Sequence, residues 1–146
     1  MISSIKSFTE LSVNELYDLI ALRAEIFIVE QQCLYQDLDN LDQKAQHLQI
    51  RKHSQLIAYA RILPYEQSTS MSFGRLLIKA PYRKQGLGQQ LMEMILSYLS
   101  EHHSQQTITI KAQLHLQNFY EHFDFLAKGK SFALDGIPHI LMEKQP

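Results

Sequence analysis

The chain has 146 residues, 14 basic against 15 acidic, with five glycines, four prolines and 45% hydrophobic residues. That composition describes one globular domain spanning residues 1–146 and excludes collagenous, linker-like and disordered classes. A formal charge of −1 supplies no broad positive field to gather phosphate backbones or anionic lipid, so neither nucleic acid nor a membrane is expected as a partner.

Residues 2–8 alternate weakly and predict a first strand. Ser12-Val13-Asn14-Glu15 matches a capping box, and Leu16, Leu19, Ile20, Arg23, Ile26 and Phe27 recur at helical spacing, predicting a helix to about Glu30. Arg23 interrupts that apolar stripe. Either it snorkels past the core edge, or it reaches a ligand or fixes Glu30. From Gln31 to Lys44 the pattern dissolves into an irregular loop whose acids, Asp37, Asp39 and Asp42, read as solvated charge. Residues 47–52 and 56–63 predict two strands joined as a hairpin through His53-Ser54-Gln55, with Pro64 ending the second. An apolar run over 71–78 predicts another strand, stopped before Pro81.

Residues 86–102 carry the clearest helical pattern, with Leu87, Leu91, Met94, Ile95, Tyr98 and Leu99 against a polar face. A β-branched strand follows at 107–111, then a short helix marked by Leu116, Phe119, Tyr120 and Phe123. Residues 125–134 and 137–143 predict a closing hairpin around Asp135-Gly136. The order β, α, ββ, β, α, β, α, ββ implies a mixed sheet covered by helices, of α/β or α+β class.

Gly74 to Gly88 carries the chemistry, as a strand passing through a basic glycine turn into an amphipathic helix. The first N–H groups of a helix lack intrahelical partners and sit at its positive end, so a phosphate placed there meets several oriented donors. Glycines at 86 and 88 let those donors approach closely, and Arg83 and Lys84 add charge. A triphosphate loop would need Lys-Ser or Lys-Thr after the last glycine, where Gln89 and Gln90 stand. A dinucleotide fingerprint would need glycine or alanine at Leu91.

Cys33 is the only cysteine, which excludes an intrachain disulfide and a thiolate-built zinc site from this chain alone. With no basic neighbour to activate it, Cys33 reads as an incidental thiol. A reducing, cytoplasmic location is expected, because residues 1–7 lack a signal pattern and no long apolar run follows. Among seven histidines only His115 and His122 share a helical face, without a carboxylate at ligand spacing, so no metal is expected.

Arg83-x-x-Gly86-x-Gly88 after an apolar strand resembles the acyl-CoA signature of the GNAT superfamily of N-acyltransferases. Val29-Glu30-Gln31, Ala58-Tyr59-Ala60-Arg61-Ile62-Leu63, Gln89-Gln90-Leu91-Met92, residues 112–120 and Asp135-Gly136-Ile137-Pro138-His139-Ile140 are similar to its ElaA-like branch. The resemblance implies a GNAT-type fold, a mostly antiparallel mixed sheet splayed at two parallel strands and flanked by helices. It implies acetyl-CoA as cosubstrate, a small-molecule or peptide amine as acceptor, and a monomer or homodimer. Backbone amides of Arg83, Lys84, Gln85, Gly86, Leu87 and Gly88 would then hold the CoA pyrophosphate. Pantetheine would lie in the splay, bonded to main chain around Leu76 and Ile78, with an N–H near Ile78 meeting charge on the thioester oxygen. Gln113 takes the place of a frequent CoA-contacting asparagine. Tyr120 falls where the family commonly keeps a tyrosine near the CoA sulfur, and there it would protonate the departing thiolate.

Read from the residues alone, Tyr120 shares a helical face with Leu116 and Phe123 as a core aromatic, and a packed ring with its hydroxyl in a cleft satisfies both readings. Glu30, His47 and His139 are candidates for the base or for acceptor contact. The chain departs from the family pattern in having no Asp or Glu between Met71 and Ala80, Lys84 at a position often glycine, and Asp124 in place of the usual glycine; Asp tolerates positive φ. If the loop acids line the acceptor mouth, they would favour cationic substrates. Two rivals stand beside the enzyme: an acyl-CoA sensor without turnover, and an interaction protein that binds no CoA.

Overall fold

The computed structural model describes residues 1–66 and 68–146. Among these, seven strands form one sheet: β1 (Ile2–Ser7), β2 (Gln46–Lys52), β3 (Gln55–Pro64), β4 (Met71–Ile78), β5 (Ile108–Gln113), β6 (Leu126–Leu134) and β7 (Ile137–Lys144). Their spatial order is β1-β2-β3-β4-β5-β7-β6, antiparallel throughout except between β4 and β5. The helices are α1 (Val13–Arg23), α2 (Leu87–His102) and α3 (Gln117–Glu121). The α/β mixed sheet with a parallel pair at its centre is the architecture expected from the order of elements.

Each face of the sheet has its own core. Leu19, Leu22 and Ile26 pack on Leu56, Tyr59 and Leu77 on the α1 face. On the other face Leu87, Leu91, Met92, Ile95 and Leu99 of α2 join Phe73, Ile110 and Met142. Each such leucine or isoleucine contributes about 1.5–3 kcal/mol by leaving water. Phe73 and Leu77 lie four apart on one strand yet belong to opposite cores. The cause is a bulge in β4, where Arg75 has φ 53° and the register with β3 shifts; one extra residue exchanges the two faces.

The local signals in the sequence have structural counterparts. Ser12 caps α1, with Glu15 N–H donating to Ser12 Oγ at 3.0 Å and Ser12 N–H donating to Glu15 Oε1 at 2.9 Å. The first hairpin turns on His53-Ser54 alone, φ 50° and 66°, so Gln55 belongs to the strand rather than to the turn. Lys84 and Asp124 both adopt positive φ, 62° and 68°, as their replacement of glycine requires. The predicted first helix ends early as an α-helix. After Arg23 the chain widens into a π-helical segment, Ala24–Glu30, closed by Gln31 N–H to Ile26 C=O at 2.9 Å. Ile26, Phe27, Ile28 and Val29 succeed one another there, a β-branched and aromatic run with little preference for regular α-helix.

Candidate active site

β4 and β5 touch only at their start. Met71 pairs with Ile108, and Met71 N–H donates to Thr107 C=O at 2.9 Å; beyond that the bulge at Arg75 bends β4 away. The strands part around a cleft of about 1390 Å³, bounded by the π-helical segment, β4, the start of α2, α3 and the β6–β7 turn. Lys79 N–H donates to Ile57 C=O at 2.8 Å, which fixes the phase of the β3–β4 ladder. Ile78, paired with Ala58, is therefore a non-hydrogen-bonded pair, and its N–H and C=O face the cleft, as do those of Leu76 two residues earlier. The Ile78 carbonyl accepts from Arg83 Nε at 2.9 Å, leaving its N–H to a ligand.

At the end of this open edge α2 begins. Gly86 is its N-cap in the left-handed region, φ 82°, with no side-chain cap, so the N–H groups of Leu87, Gly88 and Gln89 lack partners within the helix. Lys84, Gln85 and Gly86 are exposed, while Gly88 lines the cleft beneath Ile78 and Phe119. Arg83 spans the cleft mouth to Glu30 at 2.9 Å. That pair is exposed and worth about 0–1 kcal/mol, so an entering anion can take Arg83 over at little cost.

α3 delivers Tyr120 to the cleft from the α2 face. Its ring packs against Phe73, Phe119 and Phe125, and among the described residues no protein group hydrogen-bonds its hydroxyl. Burial pushes the phenol up to about 12, so it carries its proton at neutral pH. Gln113, at the end of β5, also lines the cleft.

Below the other side of the cleft lies a closed ring of six charges. Arg23 pairs with Asp42 (2.7 Å) and Asp37 (2.8 Å), Arg61 with Asp42 (2.8 Å) and Asp39, and Arg75 with Asp37 (2.8 Å) and Asp39 (3.4 Å). Burial works against charge on Arg23, but Asp42, Tyr59 and Asp37 more than offset it and hold the guanidinium above its ordinary range. Burial likewise raises Asp42, yet Arg23 and Arg61 outweigh it and keep the carboxylate below its usual range. The ring fastens the 31–44 loop to β3 and β4 and corrects two expectations. Arg23 neither snorkels nor touches Glu30, being 0% exposed, and Asp37 and Asp42 are buried ligands of arginine rather than solvated charge. Arg61 gave a signal in the sequence, a cation inside an apolar strand run, but the identity of its partners lay in the fold.

The three candidates for a base separate. Glu30 lines the cleft but is engaged by Arg83. His47 does not reach the cleft: it is 0% exposed, its Nδ1 accepts from the Tyr59 hydroxyl at 2.6 Å and its Nε2 donates to the Asp42 carbonyl at 2.8 Å. Burial lowers its basicity further, so it is a neutral structural link. His139 lines the cleft from β7. Among the described residues there is no cluster of three or more metal-ligating side chains, and no helix is long and apolar enough to cross a membrane.

Comparison with known proteins agrees with this geometry. The family model described as acetyltransferase (GNAT) domain matches residues 10–146. Protein ElaA of Escherichia coli strain K12 is 39% identical over 140 residues, covering 94% of this chain and 92% of that protein. Its crystal structure superposes with a TM-score of 0.92 at 37% identity, covering 99% of both chains. An acyl-CoA N-acyltransferase from Pseudomonas aeruginosa superposes with a TM-score of 0.93, at 37% identity and 98% coverage of both. An aminoglycoside 6′-N-acetyltransferase complexed with coenzyme A shares the fold at 16% identity, with a TM-score of 0.71 over 99% of this chain and 97% of that one.

Proposed function

This chain belongs to the GNAT acetyltransferase family, in its ElaA-like branch, and from that premise we propose that it moves an acetyl group from acetyl-CoA directly to a primary amine of a small molecule or peptide. The observation that carries the reading is the parting of β4 from β5. It leaves a free main-chain edge at Leu76 and Ile78 that leads straight to the unpartnered amides at the start of α2. An extended pantetheine suits that edge, and a diphosphate suits the amides. That a structural neighbour of the same fold is complexed with coenzyme A supports the assignment of ligand.

In this reading the amides of residues 83–88 and Arg83 hold the pyrophosphate, Gln113 contacts the CoA chain, and the Ile78 N–H meets the charge that develops on the thioester oxygen. The amine must attack in its neutral form. At pH 7 that costs about 4–5 kcal/mol for a lysine-like amine and about 1 kcal/mol for an α-amine. Attack forms the C–N bond, the tetrahedral centre collapses with loss of the C–S bond, and Tyr120 supplies a proton to the thiolate.

Thermal melting with CoA, followed by an amine screen read as free thiol, tests the proposal. CoA at 100 times its dissociation constant should add about 2.7 kcal/mol, or roughly 5–11 °C in Tm. No shift would leave only the interaction-protein reading. A shift with no thiol release from any amine would make the chain an acyl-CoA sensor.

A further inference from the structure

Resting on the acyl-transfer reading, we propose that His139 is the general base that takes the proton from the attacking amine. The argument is one of atoms. His139 Nδ1 lies 2.7 Å from the Ile137 carbonyl, and a carbonyl oxygen only accepts, so Nδ1 carries the hydrogen. In the neutral ring the lone pair is therefore on Nε2, and among the described residues no protein group occupies it. The ring is 8% exposed and stacks on Phe132 with centroids 6.2 Å apart, which fixes its plane.

Its place in the sheet is equally specific. Gln113 pairs with His139 across β5 and β7, and counting along β4 and β5 from the Met71–Ile108 pair puts Gln113 within about one residue of the level of Leu76. His139 thus stands one strand beyond the splay, level with Leu76 on the open main-chain edge and about two residues, ~7 Å along the strand, from Ile78. Ile140 and Met142 face the α2 core, so His139 projects to the opposite face, the side of the 31–44 loop. Tyr120 comes from the α2 face. The acid and the base accordingly flank the gap from opposite sides, one for the leaving sulfur and one for the entering nitrogen.

The other carboxylates in and around the cleft, and its other histidine, are engaged or peripheral. Glu30 is held by Arg83, each aspartate of the ring by two arginines, and Glu66, His115 and Asp135 are exposed at the rim. Lys111 on β5, Lys128 on β6, Glu143 on β7 and Asp135 in the turn are the charged groups sharing the His139 face or rim. In the step, the nitrogen lone pair forms the N–C bond and the carbonyl pair moves to oxygen while Nε2 takes one amine proton. The oxygen pair then returns, the C–S bond breaks, and the thiolate receives the Tyr120 proton. Solvent takes the imidazolium proton and returns one to the phenolate, so the net change is one proton lost by the amine and one gained by CoA.

Bromoacetyl-CoA tests this without a known acceptor, since a neutral imidazole beside the acyl group displaces bromide and forms an N–C bond. The protein should carry Cys33→Ser, because Cys33 also lines the cleft and would compete. The expected result is an adduct on His139 by peptide mass mapping, blocked by CoA and absent in His139→Asn, whose amide can keep the bond to Ile137. With an amine from the screen, His139→Asn should lower kcat by about 10²–10⁴-fold at unchanged CoA affinity. An adduct elsewhere in the cleft, or none while bromoacetyl-CoA still competes with CoA, overturns the assignment and leaves the acyltransferase reading standing. Failure of both CoA and bromoacetyl-CoA to bind overturns the reading itself.

Discussion

Asp42→Asn removes one charge from the ring of six and keeps its shape. Asp42 Oδ1 accepts from Arg23 Nη1 at 2.7 Å and from Arg61 Nη1 at 2.8 Å, and those arginines are 0% and 4% exposed. The substitution takes the ring from neutral to a net +1; the amide oxygen can still accept from both arginines, so what is lost is the charge that offsets them. The three side chains are at most 10% exposed, so water compensates little, and among the described residues Arg61 Nε already has no partner. Breaking one member of a buried pair costs about 3–5 kcal/mol. Against a total of about 5–15 kcal/mol for a domain, that lowers Tm by roughly 6–20 °C. Urea unfolding at pH 7 should show the loss in the midpoint with the slope unchanged. The contrast is Asp18→Asn, whose bond to Arg51 is 3.0 Å long but partly exposed on both sides, and whose loss should cost under about 1 kcal/mol. If Asp42→Asn also loses less than about 1 kcal/mol, the ring is not what fastens the loop.

Tyr120→Phe should lower kcat by about 10²–10⁴-fold while calorimetry finds CoA affinity nearly unchanged; equal loss of both would make the phenol a packing group. Gly86→Ala meets no atom within 4 Å, so any effect is the backbone's: at φ 82° a Cβ costs about 1–2 kcal/mol, read in urea, and CoA binding should weaken with it. Acid should destabilise the fold between about pH 5 and pH 2. Bonds from the Ser12 backbone, offset in part by burial and aided by Lys6 and Gln49, hold Glu15 at about 2, and Arg61 outweighs burial to hold Asp39 at about 2. Both carboxylates sit below their unfolded values, so the stability they contribute is complete above about pH 5 and is lost as pH falls through the folded values. Glu15→Gln should flatten that acid limb in pH-dependent melting.

The reach of the sequence follows the range of the forces involved. The capping box at Ser12, the turn at Asp135-Gly136, the strand over 71–78 and the glycine bend before α2 are settled among near neighbours in the chain, so spacing and residue type sufficed for each. Tyr120 was legible as a core aromatic and, by resemblance, as a group beside a cleft. Tertiary structure decided the rest. Whether Arg23 was a snorkelling cation or the hub of a buried ring depended on Asp37 and Asp42, 14 and 19 residues away, arriving beside it. Whether His47 or His139 kept a free lone pair depended on Tyr59 and Asp42 sealing the first and on Ile137 occupying only the Nδ1 of the second. A local pattern states which conformation a segment prefers. The availability of a proton or a charge is set by whatever else occupies the same few ångströms, and that is known only once distant segments have packed.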